Sequence, residues 1–241
     1  MKRIVSLLLA VALCHIGLSA RTYALVVGVS RYENANNNLS QTTKDAKSFK
    51  TVMETQTKDI TLLTSKYANK ANVVEKLRAI CNRAQSSDRI VFYFSGHGIP
   101  GGICCFDNVL QYSELVNLLA TSAAKDKICY IDACHAGTVA AEKAGSTDLA
   151  TTVKGHSDQI FFVGCRSNEY SIEGPMVGAG FFTQGLIKGL RGKCDRNGDK
   201  KITVIELFKY IYNDVVTRSQ SKQHPQLIAS QSMHNTVVAV W

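Results

Sequence analysis

The chain has 241 residues, 45% of them hydrophobic, with 28 Lys and Arg against 19 Asp and Glu and a formal net charge of +9. That length suits one domain, and that apolar share excludes a disordered or low-complexity chain. The basic residues are scattered, with no block of five or six and no interleaved aromatic ladder, so they read as a solvated surface and not as a nucleic-acid-binding tract.

Lys2 and Arg3 precede an apolar run over 4–13, and the small residues Gly17, Ser19 and Ala20 follow. This is the layout of a secretory signal peptide over 1–20, and the run is too short to span a bilayer. Its removal is expected to leave a secreted or periplasmic protein with no membrane segment. Lys2 and Arg3 are the only charges lost, which takes the net charge from +9 to +7. Cys81, Cys104, Cys105, Cys129, Cys134, Cys165 and Cys194 remain, an odd set that leaves at least one thiol unpaired in an exported protein. Without a Cys-x-x-Cys pair or finger-spaced histidines, a structural zinc site is not expected.

Strand-like and helix-like segments then alternate. Residues 23–30 (YALVVGVS) form a buried, Val-rich strand that ends in a Gly/Ser/Asn-rich loop. Ala46, Phe49, Val52 and Met53 fall at helical spacing within 42–55. A short strand over 60–63 precedes a second amphipathic helix over 71–84, with Val73, Val74, Leu77, Ile80 and Cys81 on one face. Residues 89–94 (RIVFYF) make a strand that stops at Ser95-Gly96-His97-Gly98. A Gly/Pro turn region leads to a short helix over 113–121, and 127–133 (KICYIDA) is a strand stopping at Cys134. The polar, weakly periodic stretch 136–157 is expected to be an exposed loop. A strand over 159–165 (QIFFVGC), helices over 178–190 and 204–217, and a last strand over 236–240 complete the chain. Strands separated by helices of this length predict an α/β fold, with a mostly parallel sheet of about six strands covered on both faces.

Open parallel sheets gather their sites at the carboxyl ends of strands. Two strands here end in reactive side chains, His97 and Cys134. A thiol attacks as thiolate, and a nearby imidazole takes its proton or stabilises its charge. Gly96, Gly98 and Gly137 let a substrate approach the backbone closely, and the N–H groups of Gly98 and Cys134 would form an oxyanion hole. Gly96-His-Gly98-Ile-Pro-Gly101 also satisfies G-x-G-x-x-G, but no helical period follows it, so dinucleotide binding is not expected.

Phe94-Ser95-Gly96-His97-Gly98 and Asp132-Ala133-Cys134-His135-Ala136-Gly137 resemble the histidine and cysteine blocks of caspase-fold peptidases, most like those of metacaspases and their bacterial relatives. YALVVGVSRY with the Asp45-Ala46 helix, GFFTQGLIKGL with DRNGDKKITVIEL, and Gln223-His224-Pro225-Gln226 extend the likeness over nearly all of 21–241. The resemblance implies a caspase-like α/β/α sandwich, with a large-subunit-like part over 21–137, a loop over 138–157 and a small-subunit-like part over 158–241. It implies a cysteine endopeptidase using Cys134 and His97. Caspases carry Gln-Ala-Cys at this block, where this chain has Asp132. Metacaspases place one aspartate there and another where Asp45 stands. Two carboxylates in a pocket favour a basic residue before the cut bond, so protein or peptide substrates with Arg or Lys are implied. A strand-end carboxylate bonding backbone N–H groups is the other reading of Asp132, and an ordinary first-turn residue that of Asp45.

Relatives are often activated by a cut beyond the cysteine strand, and Lys143 and Lys154 in the 138–157 loop are the candidate sites for self-cleavage of a zymogen. An uncut surface loop is equally open. Asp195, Asn197, Asp199, Thr203 and Glu206 stand at EF-hand ligand positions, although position six is Lys200 and not Gly. Thr203 and Glu206 also spell a capping box. No cofactor is required; calcium at Asp195, Asn197, Asp199 and Glu206 is one reading, and a turn with a helix cap is the other. A monomer is expected. A non-catalytic caspase-like module that binds peptides or partners is the alternative to an enzyme.

Overall fold

Strand runs without polar alternation must be covered on both faces, and that requirement organises the molecule. The computed structural model describes residues 20–133, 149–165 and 180–241; the expected signal peptide, Cys134 and Lys143 lie outside them. In chain order come β1 (Thr22–Gly28), α1 (Thr42–Met53), β2 (Asp59–Thr64), α2 (Lys70–Arg83) and β3 (Arg89–Ser95). Then follow β4 (Gly98–Ile99), β5 (Gly102–Cys104), β6 (Val109–Gln111), α3 (Tyr112–Ala120) and β7 (Asp126–Asp132). The remainder is α4 (Leu149–Val153), β8 (Gln159–Val163), α5 (Phe181–Lys188), β9 (Lys201–Thr203), α6 (Val204–Arg218), β10 (Gln226–Ile228) and β11 (Val237–Val240).

The main sheet has the order β10-β8-β7-β3-β1-β2. Its strands run parallel, except β10, which is antiparallel to β8. Alternate residues feed two separate cores. Leu25, Val27, Phe92, Phe94 and Ile131 pack under Leu77 of α2 and Leu115 and Leu119 of α3. Val26, Val91, Tyr93 and Tyr130 pack against Phe49 of α1, Phe182 of α5 and Leu207 of α6. The result is an α/β/α sandwich. Each fully buried Leu or Phe is worth about 2 kcal/mol, whereas a surface pair such as Lys50 with Glu54 is screened by solvent and adds little. The two apolar layers therefore set the architecture.

Three details differ from the sequence expectations. The sixth strand of the main sheet is β10, while β11, read as the last strand, pairs with β9 in a separate two-stranded sheet. Within the expected loop 136–157, Leu149 and Val153 are buried by a short helix, α4, too brief to show a period. The Gly/Pro region after His97 forms the small sheet β4-β5-β6. Among the described residues no helix is long and apolar enough to cross a membrane.

Candidate active site

β3 and β7 are neighbours, and their parallel register ends on the pair Ser95 and Asp132. The ladder runs one step further, with the Gly96 N–H donating to the Asp132 carbonyl at 3.2 Å. β1 has β2 on one side and β3 on the other, and open α/β sheets bind ligands outside the carboxyl ends of strands at such a reversal. His97 emerges there, two residues past Ser95.

Its ring Nε2 meets the Asn37 carbonyl at 2.9 Å. A carbonyl only accepts, so in the neutral ring Nε2 carries the proton and Nδ1 is the basic nitrogen. The His97 main-chain N–H donates to the Tyr32 hydroxyl at 2.7 Å, and its carbonyl accepts from the Cys104 N–H at 2.9 Å. The Tyr32 ring lies against the imidazole, centroids 5.0 Å apart. Tyr32 is itself fixed by its N–H to Asn38 Oδ1 at 2.9 Å, and the loop is closed by the Leu39 N–H to the Ser30 carbonyl at 2.8 Å. One loop thus grips His97 at backbone and ring. Gly96 is required between them, because a Cβ there would stand 2.8 Å from the Tyr32 hydroxyl and 2.7 Å from the Phe94 ring. Gly98, a candidate oxyanion donor, opens β4 directly after His97.

Tyr32→Phe removes the acceptor of the His97 N–H while keeping the ring. It is expected to lower kcat about three- to tenfold with KM little changed, as loss of one positioning hydrogen bond of about 1 kcal/mol predicts. Steady-state kinetics beside the unaltered protein checks this.

The two candidate pocket carboxylates are brought together. Asp132 is 6% and Asp45 2% exposed. Asp45 Oδ2 accepts the Ser95 hydroxyl and the Gly180 N–H, both at 3.4 Å. Asp132 Oδ2 accepts the Thr183 N–H at 3.2 Å and the Thr183 hydroxyl at 2.6 Å. A Cβ on Gly180 would lie 2.7 Å from Asp132 Oδ2, so both carboxylates flank this glycine. Asp45 is thus an inward-facing group, not an ordinary solvated first-turn residue. Asp132 does bond a backbone N–H, that of Thr183 in the first turn of α5, whose N-cap residue Gly180 has no side chain to cap it. Burial and the charges of Asp45 and Asp132 hold the Tyr93 hydroxyl well above its usual range, against opposing hydrogen bonds with Thr183 and Ser95.

Five of the other cysteines are disfavoured as thiolates by burial. Burial pushes the thiols of Cys81 to about 11 and of Cys105 and Cys194 to about 12, and raises those of Cys104 and Cys129 as well. Cys165 donates to the Ala133 carbonyl at 3.3 Å. No disulfide joins the described cysteines. Lys154 stands exposed after α4, followed by Gly155 at φ +97°.

In the 195–206 loop, Asp195 accepts the N–H groups of Gly198 (2.8 Å) and Lys200 (2.9 Å) and the Trp241 indole N–H (3.0 Å). Slight burial raises its pKa, but these bonds outweigh that and hold it below the usual carboxylate range. Asn197 and Asp199 accept from Asp199 and Lys201 N–H groups, and Glu206 completes a capping box with Thr203. Among the described residues no group of three or more His, Cys, Asp or Glu side chains could hold a metal ion. These bonds make up a turn and a helix cap. Lys200 sits at φ 62°, a conformation costly for a side-chain-bearing residue. Lys200→Gly is expected to raise stability by about 0.5–1 kcal/mol, read as an upward shift in Tm.

Asn37 and Tyr93 lie outside the family-like segments, and Tyr32 and Thr183 lie inside YALVVGVSRY and GFFTQGLIKGL with no role assigned to them there. The Asn-rich 34–38 segment signalled only a turn, and Tyr93 and Thr183 read only as strand and helix residues.

The sequence model described as "Caspase domain" matches residues 21–236. Among solved structures, a structural-genomics protein from Geobacter sulfurreducens superposes with a TM-score of 0.66 at 18% identity, covering 91% of this chain and 99% of its own. Caspase-1 from Spodoptera frugiperda superposes with a TM-score of 0.66 at 14% identity, covering 91% of each chain. At these identities the likeness is one of fold. A comparison with curated proteins finds no match.

Proposed function

Because the chain belongs to the caspase domain family, we propose that it is an exported cysteine endopeptidase that cuts after Arg or Lys, with Cys134 as nucleophile and His97 as its proton partner. The observation that carries this reading is the shared level of the two strand ends, Ser95 paired with Asp132. His97 follows one of them by two residues in the sequence, and Cys134 follows the other by two. The raised thiols of Cys81, Cys104, Cys105, Cys129 and Cys194 argue against those five as nucleophiles and so support Cys134.

In this mechanism the Cys134 thiol gives its proton to His97 Nδ1, and the thiolate attacks the scissile carbonyl. The oxyanion is stabilised by the N–H groups of Gly98 and Cys134. His97 then protonates the leaving amine, the C–N bond breaks, and water attacks the thioester to release the acid and restore the thiol. Asp45 and Asp132 attract the cationic side chain before the cut bond, since carboxylates held in a buried site favour an opposite charge. No cofactor is needed for these steps.

Self-cleavage after Lys143 or Lys154 is the proposed activation; Lys154 is exposed ahead of a left-handed glycine, a shape open to an incoming protease. Residues 1–20 would direct export. Turnover of peptides ending in Arg, Lys or Asp by wild type and Cys134→Ala tests the reading. Cleavage after Arg or Lys, lost in the variant, is expected. No cleavage of any peptide, even after calcium addition and loop cutting, would favour a binding module, and preference for Asp would overturn the pocket.

A further inference from the structure

We infer that Tyr93 and Thr183 form a hydroxyl relay that orients Asp132 for a basic substrate side chain, making Thr183 a specificity-positioning residue. This rests on the pocket reading given above and adds to it two residues to which the sequence assigned no role.

Thr183 and Tyr93 are both fully buried. The Thr183 hydroxyl lies 2.6 Å from Asp132 Oδ2 and 2.6 Å from the Tyr93 hydroxyl. A carboxylate can only accept, and a hydroxyl has one proton, so Thr183 gives its proton to Asp132 and Tyr93 donates to Thr183. Tyr93 keeps its proton at any working pH, because burial and the charges of Asp45 and Asp132 oppose its ionisation. The polarity of the chain is therefore fixed: Tyr93 to Thr183 to Asp132. The Thr183 N–H adds a second bond to the same oxygen, at 3.2 Å.

The start of α5 is anchored independently of Asp132. Arg218 donates to the Phe181 carbonyl at 2.6 Å and to Gln184 Oε1 at 2.9 Å, pairs with Asp214, and lies 4.7 Å from the Phe181 ring centroid. Thr183 is thus a fixed point against which the carboxylate is aligned. Hydrogen bonds to a charged group are the strong ones, and chains of them reinforce each other. Two bonds on one oxygen restrict rotation of the carboxylate, so a guanidinium or ammonium would meet it already oriented.

Thr183→Val keeps the shape and the main-chain bond but deletes the relay. It is expected to raise KM for an Arg peptide about tenfold with kcat within about twofold, and to cut the preference for Arg over a neutral residue about tenfold. Thr183→Ser, which retains the hydroxyl, restores both within about threefold. Should valine at 183 prevent folding, Tyr93→Phe carries the test, with the preference falling about two- to threefold. A wild type that prefers Arg or Lys, with that preference unchanged in the variants, overturns the relay alone. An equal loss of kcat on every peptide makes the role structural and also overturns it. A wild type that cleaves nothing overturns the pocket reading, and the relay with it.

Discussion

Replacing His97 with alanine is expected to lower kcat/KM on a basic peptide by about 10²–10⁴-fold, the usual worth of a positioned proton-transfer group. The loss belongs mainly in kcat, because the imidazole acts on the thiol and on the leaving amine and not on the substrate side chain. Stability is expected to change little. His97 is only partly buried, and its ring forms one hydrogen bond, to the Asn37 carbonyl, worth about 1 kcal/mol. In a domain of this size that is a Tm shift of about 2–4 °C. Stopped assays with a parallel thermal melt separate the two effects. A large fall in Tm with activity restored at low temperature would mean that His97 is a packing residue.

The second large effect is expected at the pocket. Asp132→Asn keeps an oxygen to accept from Thr183, so the first turn of α5 stays capped. What disappears is the charge. Removing one member of a desolvated charge pair costs about 3–5 kcal/mol, and the remaining charge of Asp45 offsets part of it. At 1.4 kcal/mol per decade, kcat/KM for Arg peptides is expected to fall about 10²-fold or more, with a far smaller change for a neutral residue at the same position. Kinetics on a matched Arg and norleucine pair checks this. An equal loss on both would assign Asp132 to capping α5 alone.

Much of the framework was legible in the sequence, and the reasons are local. β1, β3, β7 and β8 carry the apolar runs LVV, IVFYF, ICYI and IFFV without polar alternation, a pattern expected of strands covered on both faces. α1 and α2 show helical spacing over whole turns. β10 was invisible as a sheet member because three residues carry no period, and its strand character comes from pairing with Phe161–Val163. β11 was legible as a strand, but its partner β9 was not, since register is a long-range property.

The site divides in the same way. His97, Cys134 and Asp132 stand in compact blocks beside strand ends and could be read directly. Asp45 could not be decided from one helix turn; its depth and its contacts with Ser95 and Gly180 come from packing α1 against α5, 135 residues apart along the chain at that hydrogen bond. Tyr93 and Thr183 are 90 residues apart and meet only because β3 and α5 share one core layer. Spacing within the sequence carries no trace of such a contact.

The central claim is a Cys134 nucleophile serving a pocket for basic residues, and covalent capture tests it most directly. A peptidyl acyloxymethyl ketone reacts when a thiolate displaces its carboxylate and leaves a thioether. With Arg before the warhead, one equivalent is expected on the wild type, mapped by peptide mass spectrometry to Cys134, and slowed by at least about 10²-fold in His97→Ala. An Asp-bearing analogue is expected to label far more slowly. Labelling on any other cysteine, or equal labelling by the Arg and Asp reagents, would contradict the account.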